Sequence, residues 1–131
     1  MPERRPATIA QRTALFEDAT AVVHTAYGER LSLDEVARRI ATSRRQLQRI
    51  YAEIGNTTFR DQLTEVRMDR AGSLLAADGN RSLTVRDVAA RVGYRQPAQF
   101  AKAFRGHHGV SPSEYRGGFR GPLVQDQAQA A

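Results

Sequence analysis

Arg45, Gln48, Arg49 and Ala52 recur at i, i+3, i+4 and i+7, which on a helix gathers them on one face, while Leu47, Ile50 and Tyr51 fall on the other. The heads on the polar face are flat hydrogen-bonding forks. A guanidinium can pair through two bonds with guanine O6 and N7, and a glutamine amide with adenine N6 and N7. Arg45, Gln48 and Arg49 are therefore the side chains that a helix lying in a DNA major groove requires. Arg44 and Gln46 flank that face and can reach phosphates or edge bases, and Ser43 stands at its start. A merely solvated face has a similar composition; its position directly after a capped helix and a tight turn favours the reading helix.

A second set is poorer in base-reading groups. Arg95, Ala98, Gln99 and Lys102 share an outward face with Gln96 at its start, and Pro97 and Ala98 offer no side-chain hydrogen bond, although Ala98 can touch a thymine methyl. The first set is expected to carry most direct readout. The second is expected to supply register, phosphate contacts and some discrimination through Gln96, Gln99 and Lys102. Arg91 and Arg95 join Ser43, Arg44 and Gln46 as backbone or flanking contacts. The free N–H groups of helices opening at Leu33, Arg44, Val85 and Pro97 favour a phosphate, though Pro97 itself has no donor. Arg38, Arg39, Arg67 and Arg70 are further phosphate candidates that read first as solvated surface charges.

Other chemistries find little support. Cysteine is absent, which removes disulfides, thiolate metal sites and thiol catalysis together. His24 lies within a helical pattern, and His107 and His108 are adjacent and so face different ways. Neither arrangement reads as a metal site. No nucleophile motif or Gly-rich phosphate loop is present, and the carboxylate pairs Glu17-Asp18 and Asp34-Glu35 read as first-turn or surface charges. The sequence predicts no enzyme, no cofactor and no metal.

The elements that must position the two sets follow from capping and periodicity. Ser32 with Glu35 is a capping-box signature, and Leu33, Val36, Ala37 and Ile40 then recur at helical spacing. Ala41-Thr42 makes a turn, Ser43 caps the next helix with Gln46 at its third position, and Gly55 is expected to end it. The pattern then repeats. Val36-Ala37-Arg38-Arg39-Ile40 returns as Val88-Ala89-Ala90-Arg91-Val92, with Thr84 as cap, Gly93 in the turn and Pro97 as a first helical residue. The offset between the copies grows by one residue at the turn and by one more past the second helix, so the loops diverged while both packed faces were kept.

An earlier helix is predicted from about Thr8 to Tyr27, stopping at Gly28, with Ile9, Phe16, Ala19, Val23 and Ala26 as its apolar face. A longer one is predicted from about Phe59 to Ala76, capped by Thr57 or Thr58 and closed by Asp78-Gly79-Asn80. A last short helix spans about Ser113 to Arg116. The expected fold is all-α: two helix-turn-helix subdomains joined by a long connecting helix, about seven helices in all. The expected divisions are a flexible arm 1–7, a first helix-turn-helix subdomain 8–56, the connecting helix 57–79, a second subdomain 80–116 and a mobile tail 117–131. A connecting helix of about 18 residues spans roughly 27 Å, comparable with the ~34 Å between successive major-groove faces, so one chain can offer two readers to one side of a duplex.

Composition agrees with a polyanionic partner. The 131 residues carry 20 Lys+Arg against 14 Asp+Glu, a net charge of +6 and a pI near 10.7, as double-stranded DNA would require. No apolar run approaches the roughly 20 residues needed to span a bilayer, and the N-terminal stretch lacks an apolar signal core, so no membrane partner and a cytoplasmic location are expected.

With both motifs placed, the chain resembles the DNA-binding domain of the AraC/XylS transcription regulators from about Leu31 to Arg116. The likeness rests on Leu31-Ser32-Leu33-Asp34-Glu35-Val36-Ala37, on Ser43 to Tyr51 with Leu47, Arg49 and Gly55, and on Arg67-Met68, Ala71 and Leu74-Leu75. It is densest from Val85-Arg86-Asp87-Val88-Ala89 through Val92-Gly93-Tyr94, Phe100 and Phe104-Arg105 to Gly109-Val110-Ser111-Pro112-Ser113-Glu114-Tyr115-Arg116. The layout is similar to the short, stand-alone members. That similarity implies a bacterial activator that contacts RNA polymerase, binds an asymmetric site as a monomer and associates with the nucleoid when bound. The family's reading positions fall on Arg45, Gln48 and Arg49, and on Pro97, Ala98 and Lys102. The last three depart from the glutamines of those members, so their site preference does not transfer. An architectural or weakly specific DNA binder is the alternative. A protein-interaction adaptor is a third reading, distinguished by little salt dependence.

Overall fold

The fold is described here from a computed structural model, over residues 8–77 and 82–118. Its helix starts are set by short polar caps. Thr8, Ser32, Ser43, Thr84 and Ser111 each sit in extended backbone and accept a bond from the N–H three residues on, and Thr58 Oγ1 does the same for Asp61 N at 3.1 Å. Each satisfies a donor that a first helical turn leaves without an intrahelical partner. The elements are α1 (Ile9–Ala26), α2 (Leu33–Arg39), α3 (Arg44–Glu53), α4 (Phe59–Ala77), α5 (Val85–Arg91), α6 (Pro97–His108) and α7 (Pro112–Arg116). Among the described residues these are seven helices without a strand, the all-α arrangement that caps and periodicity predict.

Two units gather these elements: residues up to Tyr27 with Leu31–Leu63, and Gly28–Arg30 with the residues from Thr64 onward. In the first, Ala19 and Val23 of α1, Val36 and Ala37 of α2, Leu47, Ile50 and Tyr51 of α3 and Leu63 of α4 form the buried core. In the second, Met68, Ala71 and Leu75 of α4 are buried with Val88, Ala89 and Val92 at α5 and Phe100 and Phe104 of α6. Full burial of a Leu, Ile or Phe side chain contributes about 1.5–3 kcal/mol, so these stripes hold the short helices that isolated peptides of seven to twelve residues could not sustain.

The two turns have the same hydrogen-bond pattern. Ala41 N donates to Arg38 O and Thr42 N to Ala37 O; Gly93 N donates to Ala90 O and Tyr94 N to Ala89 O. Both are Schellman closures, whose pivot residue must take the left-handed conformation. Gly93 does so at φ 97°, and Ala41 does so at φ 59° despite its Cβ.

Several sequence expectations are corrected. Ile9 is 74% exposed and no part of the apolar face of α1, because it opens the helix beyond the reach of the core. Glu35 gives its backbone N–H to Ser32 but turns its carboxylate to Arg38 and Arg39, so only half of the expected capping box forms. Gly55 is required for a different reason than the one expected. Asn56 supplies the left-handed residue, at φ 52°, whereas a Cβ on Gly55 would run into the Phe16 ring. The arm 1–7, the closing Asp78-Gly79-Asn80 and the tail beyond Gly118 lie outside the described residues.

Candidate nucleic-acid interface

In the first unit, burial of Leu47, Ile50 and Tyr51 fixes the roll of α3 and leaves Arg45, Gln48, Arg49 and Ala52 exposed on its far side. Tyr51 is the anchor. Its ring meets Phe16 and Phe59 edge-on at 5.3 and 6.1 Å, and its hydroxyl donates to Gln62 Oε1 at 2.5 Å, whose amide in turn donates to Thr20 Oγ1 at 2.8 Å. Burial pushes the phenol up to about 12, so it stays a neutral donor. Arg12 of α1 pairs with Glu53 at the end of α3. The outward face of α3 is thus held from α1 and α4 without any of its own side chains being used: the Arg45, Gln48 and Arg49 side chains make no hydrogen bond or ion pair among the described residues.

The flanking positions behave differently. Ser43 is committed to capping, its Oγ accepting from Gln46 N at 3.0 Å. The Gln46 side chain turns back to accept from Thr42 Oγ1 at 2.8 Å, which draws it toward the turn and away from the outward face. Arg44 Nε lies 3.4 Å from Asp34 Oδ1, with both side chains well exposed.

In the second unit, Phe100 and Phe104 are buried and Arg95, Gln96, Pro97, Ala98, Gln99 and Lys102 are exposed. Gln96 is the residue before α6 and makes no side-chain cap; Pro97 occupies the first helical position, as predicted, and Gly109 closes the helix at φ 83°. An aromatic cluster replaces the tyrosine chain: Phe104 lies 5.7 Å from Phe100, 4.2 Å from His108 and 5.2 Å from Tyr115. His108 Nε2 donates to Met68 O at 2.9 Å, the carbonyl fixing that nitrogen as protonated, and His107 Nε2 sits 2.9 Å from Asp69. The histidines tie α6 to α4, and among the described residues no group of acidic or histidine side chains is placed to hold a metal ion. Arg91, at the end of α5, is exposed.

Arg67 is neither a solvated charge nor free for a phosphate. Its guanidinium stacks over Tyr94 at 5.6 Å and donates to Glu29 O at 3.0 Å; burial lowers its pKa while Tyr94 opposes the change. Arg38 and Arg39 are paired with Glu35. On the outward face of α6 one exposed cation escaped the sequence reading. Arg105 follows Ala98 by seven residues and Lys102 by three, so it extends the outward face of α6, and the same period that found Lys102 points to it.

Two successive units, each a capped helix, a Schellman turn and a second helix with one buried and one polar face, define a helix-turn-helix DNA-binding domain. The helix-turn-helix domain family matches residues 36–118, and the chain belongs to it, among the AraC-type DNA-binding regulators, a family of regulators and not of enzymes. It is similar to a transcriptional regulator with an AraC-type DNA-binding domain from Chromobacterium violaceum (26% identity, TM-score 0.74, 82% of this chain and 94% of that one). It is similar also to the DNA-binding domain of AdpA, a global transcriptional factor solved with a target DNA (28% identity, TM-score 0.71, 81% of this chain and 92% of that one). The lactose operon transcription activator of Staphylococcus xylosus is 29% identical over 101 residues, covering 77% of this chain and 35% of the activator. The chain spans about a third of the length of the curated relatives it matches. No described helix is long and apolar enough to cross a membrane.

Proposed function

We propose that this chain is a sequence-specific, double-stranded DNA-binding transcription regulator that activates transcription. It reads two successive major-groove segments of an asymmetric site as a monomer. The observation that carries the reading is the α3 face: Arg45, Gln48 and Arg49 are exposed, free of intramolecular partners and backed by a fully buried stripe, an arrangement that serves no packing purpose. Arg45, Gln48 and Arg49 contact bases in the first segment, and Gln96, Gln99 and Lys102 in the second. Arg44, Arg91, Arg95 and Arg105 contact phosphates, with Ser43 and Gln46 setting the start of α3. The unlike faces of α3 and α6 are the reason for an asymmetric site. The activating sign is supported by likeness to an operon activator; an RNA polymerase partner and a bacterial cytoplasmic location with DNA in the nucleoid belong to the same proposal.

Titration of a promoter fragment and a scrambled duplex at one fixed salt concentration tests the reading. Specific binding at least about 10³-fold tighter than scrambled is expected. Comparable affinities would instead make the chain a weakly specific architectural binder.

A further inference from the structure

The corresponding second positions of α2 and α5 carry opposite charges, and the third positions both carry a carboxylate. The first unit has Asp34-Glu35 where the second has Arg86-Asp87. In the second unit Asp87 is used by the backbone, accepting from Thr84 N at 2.9 Å, with the Arg91 charge also acting on it, and the Arg86, Arg95 and Lys102 side chains make no hydrogen bond or ion pair among the described residues. In the first unit the carboxylates are turned onto arginines. Glu35 meets Arg38 and Arg39 at 3.0 Å each, and Asp34 meets Arg44 at 3.4 Å across the turn, beside the start of the reading helix. Every arginine of α2, and the one that flanks the reading face of α3, therefore already has an anion beside it.

We propose that Asp34 and Glu35 are built-in competitors for DNA phosphate, which set the backbone affinity of the first unit by occupying Arg44, Arg38 and Arg39. The idea rests on the DNA-binding reading above. Exposed ion pairs of this kind are weak, and a phosphate offers a guanidinium charge-assisted bonds together with counterion release. DNA therefore displaces the carboxylates at a cost instead of being excluded by them. On α2 and α3 the arginines left without an anion are then Arg45 and Arg49, the two of the base-reading face.

The test uses the full chain and a short scrambled duplex, with Asp34→Asn and Asp34→Asn/Glu35→Gln compared with the unaltered protein over a salt series. Tighter binding is expected, about 1.5- to 5-fold for each pair released, with a log–log salt slope steeper by up to ~0.9 for each phosphate newly neutralised. In an Arg44→Ala background the gain from Asp34→Asn should vanish. Unchanged or weaker binding by Asp34→Asn would overturn the proposal, since the carboxylate would then be idle or would be orienting Arg44. A gain that persists without Arg44 would also overturn it, as the effect of net charge alone. Far-ultraviolet circular dichroism checks folding, and Asp34→Ser is the second variant should Asp34→Asn lose helicity. If the unaltered chain shows no salt-dependent DNA binding, it is the functional reading that fails. If it binds and Asp34→Asn changes nothing, this inference alone fails.

Discussion

The first unit anchors α3 by one buried tyrosine with a polar chain behind it, and the second anchors α6 by a larger ring cluster with histidine bonds at its end. Around α3, Tyr51 packs on Phe16 and Phe59 and bonds through Gln62 to Thr20, and Arg12 pairs with Glu53; around α6, Phe100, Phe104 and Tyr115 pack ring on ring, and His107 and His108 bond to α4. The outward faces differ in the same sense: α3 presents directional forks, whereas α6 begins with Pro97 and Ala98. Hydrogen-bond readout needs atoms placed to within a few tenths of an ångström, which a bonded anchor supplies. Apolar and phosphate contacts tolerate more play. The comparison teaches that the helix with a hydrogen-bonded tyrosine behind it is also the one with the more directional outward heads.

Breaking the second anchor should have the largest effect. Phe104→Ala is expected to cost about 3–5 kcal/mol of stability, and amide hydrogen exchange should show α5 to α7 losing protection while α1 to α3 retain most of theirs. Equal loss everywhere would show that the two units unfold as one. On the reading side, Arg49→Ala should cost roughly 1–3 kcal/mol of target affinity and relax preference at one base pair, whereas Arg95→Ala or Arg105→Ala should weaken binding with less change in preference. Selection from a randomised duplex pool separates these outcomes.

The turns sharpen the comparison further, because opposite exchanges at the equivalent turn position should have opposite effects on stability. Gly93→Ala puts a Cβ into left-handed backbone and within 2.9–3.1 Å of the Arg67 guanidinium, costing about 1–2 kcal/mol or more. Ala41→Gly removes the same strain and should stabilise by up to about 1 kcal/mol, read as a shift in the urea midpoint. The smallest effect concerns pH. Backbone bonds from Thr84 and Ser111 hold the Asp87 and Glu114 carboxyls below their ordinary values of 3.8 and 4.5. Their stabilising contribution is present above those values and is lost as pH falls through them toward the lower folded values. Asp87→Asn with Glu114→Gln should therefore flatten the acid limb of the stability curve and leave its neutral plateau only slightly lowered.

Local rules made much of this legible. Ser32, Ser43 and Thr84 cap because a hydroxyl before an apolar stripe has one good use, and Pro97 opens α6 because its ring already has the helical φ. Interactions that cross a turn were not legible. Nothing in the order of residues shows that Asp34 meets Arg44, or that Arg67 leaves solvent to stack on Tyr94. Ala41 carried no mark of its left-handed backbone, since the second copy uses glycine there and alanine, with its Cβ, seldom adopts it. Gly55 was recognised as necessary but for its conformation, when the space taken by Phe16 is the cause. The outward placement of Arg45, Gln48 and Arg49 followed directly from the period of Leu47, Ile50 and Tyr51, because burial of one stripe dictates exposure of its opposite.

The central claim is that α3 reads bases through that outward face, and selection of binding sites from a randomised duplex, repeated with Arg49→Ala, tests it most directly. The account predicts an asymmetric enriched site in which the variant loses preference at one position of one segment and keeps the rest. An unaltered enriched site, or a pool no richer than the starting one, would contradict it.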